Sequence, residues 1–274
     1  MPDSPSYRFP FSFPLITGAS SGFGAEFARQ LAPFAKAMAL TARRAEVLEE
    51  LAASLRAAHP GLTVHCLPCD LMSENDRAAL PARCTALNFT PDLLINNAGL
   101  GDYGTFAEAE WGKLSQLLAV NITALTHLTH LFVPALCTHP ASGILNVSSL
   151  AGELPIPDFA VYAASKTYVT RFTEALRIEL RPLGITVSAL CPGPSPTGFG
   201  DTARRQGEHL PTAELARKPP AAVVARGLKA LVRNEAAVFP GFIVWLTSRV
   251  LRFLPDPLLR LVLGRRPRKA RKVG

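Results

Sequence analysis

Along the first 190 residues, short runs of consecutive apolar positions recur between longer stretches in which apolar residues return every three or four positions. The runs are PLIT (14–17), AMALT (37–41), LTVHCL (62–67), DLLIN (92–96), GILNVS (143–148) and ITVSAL (185–190). Such short continuous runs suit strands buried on both faces, and the intervening period predicts helices near 22–33, 44–58, 73–86, 108–137 and 159–181. Strands alternating with helices are the mark of repeated βαβ units, so the predicted fold is α/β: a doubly wound parallel sheet in three α/β/α layers, with its ligand at the carboxyl ends of the strands. A helix near 220–233 and a last strand around 236–239 complete the pattern. Two positions fit it poorly. Pro14 opens a central strand, where proline is tolerated only at the first position because it cannot donate to the ladder, and Pro33, rather than a glycine, closes the first helix.

The turn after the first strand reads TGASSGFG (17–24) and admits two chemistries. Its core fits G-x-S-x-G, the elbow that exposes a hydrolase's serine. Such an elbow follows several strands and has its acid and histidine downstream, whereas this turn follows the first strand, and His59, His65, His127, His130, His139 and His209 fall mostly in predicted strands and helix bodies. Ser20 is therefore not read as a nucleophile. For a phosphate cradle each glycine has a use: Gly18 for the tight turn, Gly22 for close approach of backbone to a pyrophosphate, Gly24 for close packing of helix on sheet, with the helix N-terminus facing the anion. Gly18, Ser20, Ser21, Gly22, Phe23 and Gly24 are accordingly the expected cofactor-binding turn of a Rossmann-type domain. At the end of the second strand, where an NAD site carries an acid, the chain has Thr41-Ala42-Arg43-Arg44. A guanidinium grips a 2′-phosphate that a carboxylate repels, so NADP(H) is the expected cofactor and Arg43 its main phosphate partner. The other reading is that both arginines are solvated at a helix start.

Charge and cysteine content narrow the classes. The formal charge is +8, but RRPRKARK (265–272) carries six of the positive charges and no acid, leaving a nearly neutral body. No aromatic positions interleave with those terminal cations, so nucleic acid is not an expected partner. Five scattered cysteines suggest reduced thiols and a cytoplasmic setting. Cys66 and Cys69 form a C-x-x-C without further ligands at zinc spacing, so no metal site is expected. The N-terminal MPDSPSYRFPFSFP lacks the basic start and apolar core of a signal peptide, and no segment before residue 235 looks apolar enough over about 20 residues to span a bilayer.

Tyr162 and Lys166 lie four apart on a predicted helix and so share a face. An adjacent ammonium is expected to lower the tyrosine's pKa from about 10 and make it a usable general acid or base. Together with TGASSGFG, NNAG (96–99), Asn121, the serines 148 and 149, and CPGPSPT (191–197), the YAASK segment resembles the short-chain dehydrogenase/reductase family, from about residue 13 to 235. The resemblance implies Tyr162 as the proton donor and acceptor and Lys166 as binder of the nicotinamide ribose. It implies Ser149 holding the substrate oxygen, and Asn121 interrupting its long helix to position water for a proton relay. Asp70 would meet adenine and Asn97 line the cleft behind it, while Pro192, Gly193 and Thr197 would flank the nicotinamide. Residues 195–219 would cover the substrate.

The expected domain plan is an arm (1–12), a catalytic domain (13–240) and an apolar, then polybasic, extension (241–274). Arg249, Arg252, Arg260, Pro255 and Pro257 interrupt the extension, which argues against a bilayer span. Two readings remain for it: a peripheral contact on the inner face of a membrane, or helices packed on the body with a solvated basic end. The expected activity is hydride transfer between NADP(H) and a small hydrophobic alcohol or ketone, in a homo-oligomer. The alternative is a nonenzymatic NADP(H)-responsive binding protein, whose mark would be loss of Tyr162 or Lys166.

Overall fold

The computed structural model of the chain describes residues 9–205, 214–253 and 257–258. Seven parallel strands form one sheet: β1 (Pro14–Thr17), β2 (Ala37–Thr41), β3 (Thr63–Cys66), β4 (Leu93–Asn96), β5 (Ser142–Val147), β6 (Ile185–Leu190) and β7 (Ala237–Val238), in the order β3-β2-β1-β4-β5-β6-β7. The order reverses between β1 and β4, which opens a crevice beyond their carboxyl ends. The helices are α1 (Gly22–Leu31), α2 (Ala45–Ala58), α3 (Glu74–Ala86), α4 (Trp111–Leu118), α5 (Leu125–Leu136), α6 (Ala160–Leu180), α7 (Phe199–Ala203), α8 (Pro220–Val232) and α9 (Phe242–Phe253).

The consecutive apolar runs have their predicted cause. Ile16, Leu40, Ile95 and Leu145 pack against Phe27 of α1, Leu48 of α2 and Leu231 of α8, while Leu15, Leu94, Ile144 and Val187 pack against Leu80 of α3 and Phe132 of α5. Both faces of the sheet are covered, so neighbouring strand residues must both be apolar. Pro14 does stand at the first position of β1, opposite Leu93, and α1 already ends at Leu31, two residues before Pro33.

Three features bear on these expectations. The helix predicted over 108–137 is two α-helices joined by a π-helical stretch, Ala119–Ala124. The combined helix 111–136 is long and apolar enough by composition to cross a membrane, contrary to the estimate from sequence. Its Leu114, Leu117, Leu128, Phe132 and Leu136 are nevertheless buried inside the protein, so its apolar character serves the core. Finally, where it is described the arm packs on the body: Phe11 is buried in the core against Gly143, and the Asp92 carboxylate accepts the backbone N–H groups of Ser12 (2.6 Å) and Phe13 (2.8 Å). Residues 1–8 of the arm and the polybasic run 265–272 lie outside the described residues.

Candidate active site

The glycine turn is built as the sequence requires. Gly18 (φ 65°) and Gly22 (φ 54°) occupy the left-handed region that disfavours side chains, and a Cβ on Gly22 would lie 3.2 Å from Thr197. Ser21 precedes α1 in extended backbone and its hydroxyl caps none of the first-turn N–H groups. The helix therefore begins without a side-chain cap and with its N–H groups directed at the crevice, a fit for an anionic phosphate. Phe23 differs from expectation: its side chain packs on the core, leaving only its backbone to serve the turn. Arg44 reaches over the turn, its guanidinium 3.4 Å from the Ser20 hydroxyl, while Arg43 is exposed beside it. The second arginine, secondary in the sequence reading, is thus the one in contact with the cradle.

Asn97 holds this turn in place. Its Nδ2 donates to the carbonyls of Thr17 (2.9 Å) and Gly18 (3.3 Å), and its backbone N–H donates to Thr17 Oγ1 (2.9 Å). The buried Thr17 hydroxyl also receives Ala98 N–H (3.0 Å), so it is a hub between β1 and β4 that the sequence reading missed. Asn96, Asn146 and Thr173 form a second missed chain of buried polar contacts from β4 through β5 to α6. Their signal in the sequence was polarity inside apolar runs. Asp70 accepts Met72 N–H (3.0 Å), and Ser73 rather than Asp70 caps α3.

Tyr162 and Lys166 sit on α6 and face the crevice from its other side. The Tyr162 ring stacks on Phe159 (centroids 4.2 Å apart, 20° between planes) and leans on Phe199 at 5.3 Å; Tyr103 meets Phe159 edge-on. Lys166 Nζ donates to the Val147 carbonyl (2.8 Å) and lies 5.8 Å from the Tyr162 ring centroid. Burial pushes the phenol up to about 12, opposed by a hydrogen bond from Ser149, and pushes the ammonium down to about 8. The expected lowering of the tyrosine by its neighbour is therefore overturned in this geometry: desolvation outweighs an ammonium directed at a carbonyl.

Asn121, within the π-helical stretch, interrupts the long helix as expected. Its side chain is fully engaged in bracing the site: Oδ1 accepts Leu100 N–H (2.8 Å), and Nδ2 donates to the Leu100 carbonyl (2.9 Å) and Ser165 Oγ (3.0 Å). A Cβ on Gly99 would stand 3.4 Å from both Asn121 Oδ1 and Lys166 Nζ, so these two groups share one small space. Pro192 accepts Leu150 N–H, next to Ser149, and Thr197 abuts Gly22 across the crevice. Gly193 also supports α9: a Cβ there would lie 2.6 Å from Val244. In the segment expected to cover the substrate, Ser195 Oγ donates to the Lys218 carbonyl (2.6 Å), joining its two ends, and 206–213 lie outside the described residues. The thiols of Cys66 and Cys69 are pushed up to about 12 and about 11, chiefly by burial, which makes thiolate chemistry there unfavourable.

A dinucleotide cradle at the switch of a doubly wound sheet, facing a buried tyrosine and lysine one helical turn apart, defines a nicotinamide-dependent oxidoreductase site. The chain belongs to the short-chain dehydrogenase/reductase family: the family model described as short chain dehydrogenase matches residues 13–208. Among curated relatives it is 32% identical over 179 residues to the ketoacyl reductase HetN of Nostoc sp., a match covering 65% of this chain and 62% of that protein. Among solved structures it resembles a short-chain dehydrogenase from Sphingobium yanoikuyae in complex with NADPH (TM-score 0.76, 29% identity, 95% of this chain and 99% of that one). It is also similar to one from Burkholderia phymatum in complex with NAD (TM-score 0.78, 27% identity, 96% and 98%).

Proposed function

We propose that the protein transfers hydride between NADP(H) and a hydrophobic ketone or secondary alcohol. The observation that carries this reading is the setting of Tyr162, a buried phenol stacked on Phe159 and leaning on Phe199 with the Ser149 hydroxyl as its polar neighbour. Those aromatic walls favour an apolar substrate that leaves its oxygen at the phenol. A phenol held near 12 is protonated at neutral pH, which suits donation to a carbonyl oxygen as negative charge develops there. The Ser149 hydroxyl steadies the same oxygen.

A bound nicotinamide supplies the hydride. Gly18, Gly22 and the N-terminus of α1 would hold its pyrophosphate, with Ser20, Arg43 and Arg44 at the 2′-phosphate and Asp70 at adenine. Lys166 would bind the ribose hydroxyls, Asn121 brace the relay beside it, and Pro192 and Thr197 flank the nicotinamide. The neighbours that carry NADPH and NAD share this fold, so likeness does not choose between the cofactors; Arg43 and Arg44, in place of an acid, favour NADP(H).

The test is NADPH oxidation with a panel of lipid-like and small ketones, with NADH as control, for the wild type and Tyr162→Phe. Turnover of apolar ketones that Tyr162→Phe abolishes, with NADPH binding kept, is expected. Retained turnover in the variant, or no turnover by a wild type that binds NADPH tightly, would overturn the proposal.

A further inference from the structure

We infer that the outward face of α9 docks the protein on an anionic lipid bilayer. The helix is seated on the body along one edge, where Val244 and Ser248, four residues apart, are buried. At the helical period the positions opposite that edge are Phe242, Leu246, Val250 and Phe253, flanked by Ile243, Trp245 and Arg249. All are exposed, Phe242 by 71% and Phe253 by 82%. A helix on a water-facing surface carries charge on the side away from its contact. Here every outward side chain named except Arg249 is large and apolar. The surface is continuous: Phe242 stacks on Trp245 with centroids 5.9 Å apart, and the Arg249 guanidinium lies 5.9 Å from the Trp245 ring.

Charge complementarity selects the occupant. After Asp256 the sequence holds Arg260, Arg265, Arg266, Arg268, Lys269, Arg271 and Lys272 and no acid. Apolar and aromatic side chains enter the headgroup boundary while neighbouring cations meet anionic lipid, and neither contribution needs the other's geometry to be rigid. The 12 residues of α9 are far too few to span a bilayer, so the contact is interfacial. Because Val244 rests on Gly193, α9 lies between the docked lipid and the loop that follows β6.

The inference stands on α9 and not on the proposed activity, and its test reads binding alone. Full-length Trp111→Phe protein keeps Trp245 as its single tryptophan, since the chain has two. It is mixed with vesicles of phosphatidylcholine, or of phosphatidylcholine with phosphatidylglycerol. The expected result is co-sedimentation with the anionic vesicles, a blue shift of Trp245 emission, and binding that weakens about tenfold or more when salt is raised. Phe242→Glu with Leu246→Glu changes only exposed positions and should retain the melting temperature while losing sedimentation. Absence of wild-type binding to anionic vesicles, or equal binding to neutral ones, would overturn the inference. So would a double variant that still sediments but shifts from dimer to monomer, which would make this face an interface between copies.

Discussion

A Cβ placed on Gly24 would fall 2.1 Å from the Gly18 carbonyl oxygen, so the first turn of α1 lies directly on the loop that precedes it. The clash is with backbone and cannot be relieved by a rotamer change. Gly24→Ala should cost about 1–3 kcal/mol of stability through overpacking and displace the cradle. Thermal unfolding with NADPH titration should show a lowered melting temperature and a larger loss of cofactor affinity than of secondary structure.

Arg44, in contact with Ser20, should decide cofactor choice together with Arg43. A hydrogen bond to a charged group contributes about 1.5–3 kcal/mol, so Arg44→Ala should weaken NADPH binding about ten- to a hundredfold and leave NADH affinity unchanged. Equal losses for both cofactors, measured by fluorescence titration, would remove the 2′-phosphate assignment.

Burial of Lys166 makes a signed prediction about pH. Its folded value is lowered to about 8 from an ordinary 10.5, so between those values the unfolded chain binds the extra proton and this group's contribution to stability rises with pH. The buried thiols, pushed up, act in the opposite direction. The effect must therefore be read as a difference. In urea unfolding of the cofactor-free protein, wild type should gain about 3 kcal/mol relative to Lys166→Met from pH 8 to 10.5.

Arg205 pairs with the buried Asp102 and donates to the Thr105 carbonyl (2.8 Å), tying the segment after α7 to the loop that carries Tyr103. Breaking one member of such a pair leaves an uncompensated charge at a cost of about 3 kcal/mol. Arg205→Met should thus raise the KM for bulky ketones several-fold with little change in kcat or in NADPH affinity, since Tyr103 packs on Phe159 behind the Tyr162 ring. Steady-state kinetics with two ketones of different size would check this.

Strand positions, the glycine turn and the Tyr162–Lys166 spacing were legible in the residues because each depends on neighbours a few positions away. Consecutive burial, positive φ and helical period are local properties. The interruption at Asn121 was expected from the resemblance, but its π-helical form over 119–124 and its contacts with Leu100 and Ser165 join segments distant in the chain. Asn97 was placed at the crevice from the resemblance, but its grip on Thr17, 80 residues earlier, came from strand order alone. Pairing of β1 with β4 brings those residues together, and no local pattern encodes that distance.

By itself, then, the chain determined a doubly wound sheet, a dinucleotide turn and a tyrosine with a lysine one turn away, because backbone conformation and periodic burial are written over short spans. Only the tertiary structure decided that Arg44 reaches the cradle, that Tyr162 is raised instead of lowered, and that α9 hides one edge while exposing the other. Each of those outcomes depends on desolvation and on contacts between distant segments, and both exist only once the layers have closed on the sheet.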